Sequence, residues 1–123
     1  FIANVGQRLP IHVTAAGRAI LSQYLPAERA ATLNRVKYQS YEKDTFMTPE
    51  SVESDIQKSA NAGWYVNLGI YAPGVAGIAV PFSFRGRRDA IALGGPASRI
   101  EKNINAIGKL LRKAVDQFLK ENE

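Results

Sequence analysis

The sequence predicts an α+β domain in which an antiparallel sheet is flanked by helices. Three helical segments precede the first strand-like run, and the next two strands are joined by a short connection around Gly86. Helices and strands therefore come in blocks rather than in strict alternation, the order expected of α+β architecture. The chain has 123 residues, of which 46% are hydrophobic and 22% charged. That is enough apolar material for one domain with one core.

Residues 1–5 read as the end of a strand, broken up by Gly6 and Pro10. Thr14 is an N-cap, because its hydroxyl can accept from a free N–H two or three residues on. Ala15, Ala16 and Gly17 follow as a first turn of small residues. In this helix Ile20, Leu21, Tyr24 and Leu25 share one face, and Arg18, Ser22 and Gln23 point elsewhere. Pro26 opens a second helix that runs to about Arg35, with Ala30 and Leu33 buried. Residues 38–47 form a connection. Thr48, Pro49 and Glu50 announce a third helix with a cap, a first-turn proline and an acid at the positive end of the dipole. Val52, Ile56 and Ala60 recur on its inner face, and Gly63 supplies a left-handed stop.

After Gly63 the period changes. Residues 64–68 are strand-like, residues 71–74 form a turn, and residues 75–82 form a buried strand. Residues 84–88 make a hairpin connection, and residues 89–93 return as the partner strand, which Gly94, Gly95 and Pro96 end. Ile100, Ile104, Ile107, Leu111, Ala114, Val115 and Phe118 then recur at helical spacing along one last helix.

Composition excludes several classes. Cysteine is absent, which removes disulfides and thiolate metal sites. No stretch reaches the roughly 20 apolar residues of a membrane span. The chain lacks a secretory signal pattern and does not begin with Met, so a piece of a longer cytoplasmic protein is expected. The net charge is +5, but Arg8, Arg18, Arg29, Arg35, Lys37, Lys43, Lys58 and residues 85–88 scatter it without interleaved aromatics. That pattern reads as a solvated surface rather than a nucleic-acid platform.

No residue set spells out catalysis. His12 is the only histidine and has no identifiable nucleophile or orienting acid, so it reads as structural or half-exposed. A second metal ligand at helical spacing is missing, and no metal or cofactor is expected. Glu50, Glu53 and Asp55 read as a solvated helix face. Gly94-Gly95-Pro96 lacks the lysine and spacing of a phosphate loop. What remains is small residues at element ends: Ala15, Ala16, Gly17, Gly74, Gly77, Gly94 and Gly95. They permit either close approach of a ligand, with N–H donors at the helix opening, or tight packing of helix on sheet.

Read together, four segments resemble the C-terminal effector-binding domain of IclR-family transcriptional regulators. Gly6-Gln7-Arg8-Leu9-Pro10-Ile11-His12-Val13-Thr14-Ala15-Ala16-Gly17-Arg18-Ala19-Ile20-Leu21 resembles the family's entry to its first long effector-domain helix. Ala62-Gly63-Trp64-Tyr65-Val66 resembles its helix-to-strand passage. Pro73-Gly74-Val75-Ala76-Gly77-Ile78-Ala79-Val80-Pro81 resembles its central strand. Ala90-Ile91-Ala92-Leu93-Gly94-Gly95-Pro96-Ala97-Ser98-Arg99-Ile100 resembles its final strand and entry to the last helix. The resemblance covers nearly the whole chain in order and spacing.

It implies a GAF-like effector domain over residues 1–123, incomplete at the N-terminus, and a small-molecule effector. It also implies assembly into dimers or tetramers, and DNA binding only through a separate N-terminal winged helix-turn-helix outside these residues. The family's pocket falls on Thr14, Ala15, Ala16 and Gly17 at the helix opening and on Asn67. It continues on Val75 and Gly77, on Ala92 and Gly94, and on the shielding residues Phe1 and Leu9. Relatives often carry an acid where Asn67 stands, some carry a Cys at Gly77, and some carry Ser at Ala92 and Gly94. Those replacements remove donors and acceptors and enlarge the cavity, so an aromatic or apolar carboxylate is expected rather than a small keto acid. Two other roles stand beside the sensor: an oligomerisation module whose pocket is filled by Phe1 or Trp64, and a metabolic enzyme.

Overall fold

The structure, a computed structural model, describes residues 5, 6, 8–39, 46 and 48–123. Most of the strand end expected over residues 1–5, and most of the connection expected over 38–47, lie outside these. The elements run α1 (Ala15–Leu21), α2 (Pro26–Arg35), α3 (Pro49–Ala60), β1 (Tyr65–Leu68), β2 (Val75–Phe84), β3 (Arg87–Pro96), α4 (Ala97–Lys102) and α5 (Ile104–Glu121). Among the described residues the sheet is antiparallel, in the order β1-β2-β3. The expected α+β arrangement, with helices on both faces of the sheet, is what forms.

Local chemistry fixes the element ends. Thr14 is extended, and its hydroxyl accepts from the Gly17 N–H at 3.0 Å, which starts α1. Thr48 and Ser51 cap α3 reciprocally, each hydroxyl accepting from the other's backbone N–H. Gly63 turns the chain at φ +90°. Arg85 and Gly86 both take positive φ, 50° and 76°. A two-residue hairpin loop of that kind matches the twist of its strands.

The central strand β2 divides the core. On one face Ala79 and Tyr65 pack with Val13, Ala15, Ala19 and Leu21 of the α1 segment, Leu33 of α2, and Val52 and Ile56 of α3. On the other face Ala76, Ile78 and Val80 pack with Ile100 of α4 and Leu111 and Val115 of α5. Trp64 belongs to this second layer. A Cβ placed on Gly108 would lie 2.3–2.6 Å from the Trp64 indole. The backbone of α5 therefore rests directly on the ring.

Several expectations needed correction. Arg18 and Arg29 are buried, not part of a solvated surface. Arg29 grips Glu53 with two N–H···O bonds of 2.7 and 2.9 Å. It also donates to the carbonyls of Leu21 and Tyr24 at the end of α1, where a helix leaves acceptors without partners. The inner stripe of α1 is accordingly Ala15, Arg18, Ala19 and Leu21, while Leu25 is exposed at the cap of α2. Ala30, Ala60, Ala114 and Phe118 are exposed, although the Phe118 ring lies edge-on to Phe82 and Phe84 of β2. Gly94, Gly95 and Pro96 continue β3, paired with Gly77, Ala76 and Val75. The last helix is two: Asn103, at φ −126°, separates α4 from α5.

Candidate ligand pocket

A cavity of about 200 Å³ lies between the opening of α1 and the sheet. Leu9, Thr14, Ala15 and Ala16 line it from the helix side. Asn67, Val75, Gly77, Ala92 and Gly94 line it from the sheet, and Tyr71 and Ala72 from the β1–β2 loop. Strand register explains the space. Asn67, Gly77 and Gly94 form one row across the three strands. Two of those three have no side chain, and Ala92 beside them carries only a methyl. The helix facing this floor also presents alanines, so α1 and the sheet meet without filling the volume between them.

The pocket is mostly apolar, and its polar side chains are already engaged. Thr14 Oγ1 accepts from the Gly17 N–H and donates to the Pro10 carbonyl at 3.2 Å. Asn67 Nδ2 donates to the Val13 carbonyl, and Asn67 Oδ1 accepts from the Ile70 N–H, both at 3.0 Å. Among the described residues the first-turn N–H groups of Ala15 and Ala16 have no acceptor. These amides are donors left over at a helix start, and they belong to residues that line the cavity.

Two of the anticipated residues stand apart from this lining. Gly17 faces away from the cavity: a Cβ there would lie 2.1 Å from the Ile11 carbonyl oxygen. Its smallness serves the close packing of α1 on the preceding turn. Phe1 lies outside the described residues. Tyr71 and Ala72 were missed because residues 71–74 read only as a turn. The signal available was an aromatic residue just after a strand that already held a pocket position.

Behind the pocket sits a buried polar layer. Arg18 is fully buried. Its guanidinium bonds to the Asp55 carboxylate and to the carbonyls of Val66 and Val13, and lies 4.2 Å from the Phe46 ring centroid. Burial lowers its pKa, and the Asp55 carboxylate opposes that. Asp55 and Glu53 are thus arginine partners rather than members of a solvated face. His12 is buried too, with its ring against Tyr38 at a 5.1 Å centroid distance. Burial and then the charge of Arg18 push the imidazole pKa below its ordinary value, which keeps it neutral. A broader hollow of about 410 Å³ on the α5 side has only the exposed Arg99 and Asn103 as polar side chains. Among the described residues no group of three or more His, Cys, Asp or Glu could hold a metal ion. None of the described helices is long and apolar enough to cross a membrane.

Residues 1–119 match the family model described as bacterial transcriptional regulator IclR, C-terminal. The chain is 26% identical over 118 residues to the acetate operon repressor of Salmonella typhimurium strain LT2, covering 94% of this chain and 43% of the repressor. Its fold superposes on the IclR protein of Thermotoga maritima with a TM-score of 0.85, at 20% identity over 98% of this chain and 50% of that one. An IclR homolog of Microbacterium hydrocarbonoxydans, solved in complex with 4-hydroxybenzoate, superposes with a TM-score of 0.75 at 24% identity, over 93% and 46% of the two chains. The chain therefore spans less than half the length of the curated repressor it matches.

Proposed function

From the premise that this chain belongs to the IclR C-terminal family of bacterial transcriptional regulators, we propose that it is a ligand-sensing domain whose effector enters the cavity at the opening of α1. The observation that carries the reading is that cavity: a mostly apolar space of about 200 Å³ lined by Ala15 and Ala16, whose helix-start amides have no acceptor among the described residues. The effector is a small aromatic carboxylate. Its ring lies over Gly77, Ala92 and Gly94, and its carboxylate accepts from the N–H groups of Ala15 and Ala16, at the positive end of the helix. The 4-hydroxybenzoate of the Microbacterium homolog is a ligand of this chemical class. The Thr14, Ala15, Ala16, Asn67, Val75, Gly77, Ala92, Gly94 and Leu9 positions form the site.

The domain acts without catalysis or cofactor. Binding biases one arrangement of a larger cytoplasmic regulator over another by the effector's differential affinity for the two. The regulator reads DNA through a separate N-terminal winged helix-turn-helix and works as a dimer or tetramer. A thermal-shift screen of aromatic acids and small keto acids tests the reading, because a ligand bound only to the folded state raises its stability by mass action. Benzoate and 4-hydroxybenzoate are expected to raise the Tm, and Ala16→Trp to abolish the effect. Stabilisation by keto acids alone would overturn the assigned class. Absence of any hit would move the role to assembly.

A further inference from the structure

We propose that Asn67 is a positioning residue rather than an effector contact: its side-chain amide ties the two rims of the cavity together and fixes its width. The inference begins with which atoms are occupied. Asn67 is 7% exposed and borders the cavity. Its two partners are a carbonyl and an N–H, so the donor end must face Val13 and the acceptor end Ile70. Val13 immediately precedes the cap of α1, and the donors at Ala15 and Ala16 follow. Ile70 immediately precedes Tyr71 and Ala72, which line the opposite rim. One amide on β1 therefore holds the helix opening on one side and the loop on the other.

The Val13 carbonyl has a second donor, Arg18 Nη2 at 3.3 Å. The same guanidinium reaches Asp55 on α3 and the Val66 carbonyl on β1. The helix opening is thus anchored by two side chains on one acceptor. Buried hydrogen bonds of this kind are costly to leave unmade, so the amide has no reason to turn toward an apolar guest. A carboxylate at this position would set an anionic oxygen against the Val13 carbonyl, acceptor against acceptor. The amide supplies the donor that an ionised acid lacks.

The consequence for binding rests on the cavity being the effector pocket. The clamp sets how far apart the rims stand, and it contacts no substituent of the ring. Losing it weakens all aromatic carboxylates alike. A direct contact would instead discriminate between ring substituents.

Two variants separate the bonds. Asn67→Asp keeps the acceptor for the Ile70 N–H and removes the donor to Val13. Asn67→Leu removes both at similar size. Amide hydrogen exchange, measured on the nitrogen-15-labelled chain without ligand, is expected to show a protected Ile70 N–H in the unsubstituted chain and in Asn67→Asp. In Asn67→Leu that protection falls at least tenfold while the β2 amides stay protected. Calorimetric titration with benzoate and with 4-hydroxybenzoate is expected to show both affinities reduced by the same factor in each variant.

An Ile70 amide that exchanges freely in the unsubstituted chain would overturn the clamp. So would variants that lose only the 4-hydroxybenzoate affinity. If neither benzoate binds the unsubstituted chain, the effector reading fails, and the exchange measurement still decides whether the clamp exists.

Discussion

Filling the floor of the cavity should remove ligand binding while leaving the fold as stable or more so. Gly77 is the position to change. It is the third residue of β2, with no positive φ to forbid a side chain, and a Cβ there would meet the Leu93 carbonyl oxygen at 3.6 Å and the Ala15 Cβ at 3.9 Å. Both are ordinary contact distances, so a side chain can enter. Gly77→Leu adds four carbons. If each displaces about the 30 Å³ of one water, they occupy about 120 Å³ of the roughly 200 Å³ available. What is left holds two or three waters, and a hydroxybenzoate ring with its carboxylate does not fit. Affinity for 4-hydroxybenzoate should drop at least about 100-fold, or about 2.7 kcal/mol. The new side chain also removes apolar surface from water, worth about 1.5–3 kcal/mol when complete, and relieves the glycine entropy cost in a strand. The unliganded variant should therefore melt at or above the temperature of the unsubstituted chain. Calorimetric titration and thermal melting of the two proteins read these effects. Unchanged affinity in a well-folded Gly77→Leu protein would refute the placement of the ligand on this floor.

Three further outcomes follow from the packing. Gly108→Ala drives a methyl into the Trp64 indole, and overpacking of this kind should cost about 1–3 kcal/mol, read as a lower denaturation midpoint with a shift in tryptophan emission. Arg18→Ala strands the Val13 and Val66 carbonyls and leaves the partly exposed Asp55 carboxylate to water, which predicts a fall of about 2–3 kcal/mol in chemical denaturation. His12 makes stability depend on pH. Below its ordinary value of 6.5 the unfolded chain takes up a proton that the buried, Arg18-facing imidazole refuses. Stability should fall as pH drops from about 6.5 until the lowered folded value is reached, by at most about 1.4 kcal/mol per pH unit. In the His12→Gln variant the slope below about pH 6.5 should flatten, and an unaltered slope would assign it elsewhere.

Most element boundaries were legible because they are set by local chemistry. Thr14, Thr48 with Pro49, Gly63 and Gly86 each do their work within a few residues of sequence. The errors came where tertiary partners decide. Arg18 and Arg29 are buried only because Asp55 and Glu53, far away in sequence, meet them, and no helical period can announce that. Gly94 and Gly95 read as a stop, yet they extend β3 because β2 supplies the ladder opposite. Ile100 to Phe118 kept a helical period across Asn103, so the break between α4 and α5 did not show. The cavity was legible in a different way. Small residues marked where contact could be close, but packing on a backbone and room for a ligand leave the same mark. At Gly17 the smallness serves Ile11, and at Gly77 and Gly94 it opens space. Only the register that sets Asn67, Gly77 and Gly94 in one row tells the two apart.

The seat of Gly108 on Trp64 gives the domain a mechanical polarity. A helix that slid about one turn along its axis, about 5.4 Å, would bring a side chain down onto the indole. The last helix is thus keyed to the sheet like a tooth in a notch, and it moves with the sheet or not at all. The first helix crosses glycines and alanines over the cavity, and hydrogen bonds rather than shape hold it there, from Asn67 to the Val13 carbonyl and from Arg18 to the Val66 carbonyl. A molecule wedged into that gap meets the keyed sheet on one side and a hydrogen-bonded rim on the other. The displacement it causes should be taken up by the α1 side and carried through Arg18 and Asn67 to α3 and the β1–β2 loop, with the Trp64 face as the stationary frame.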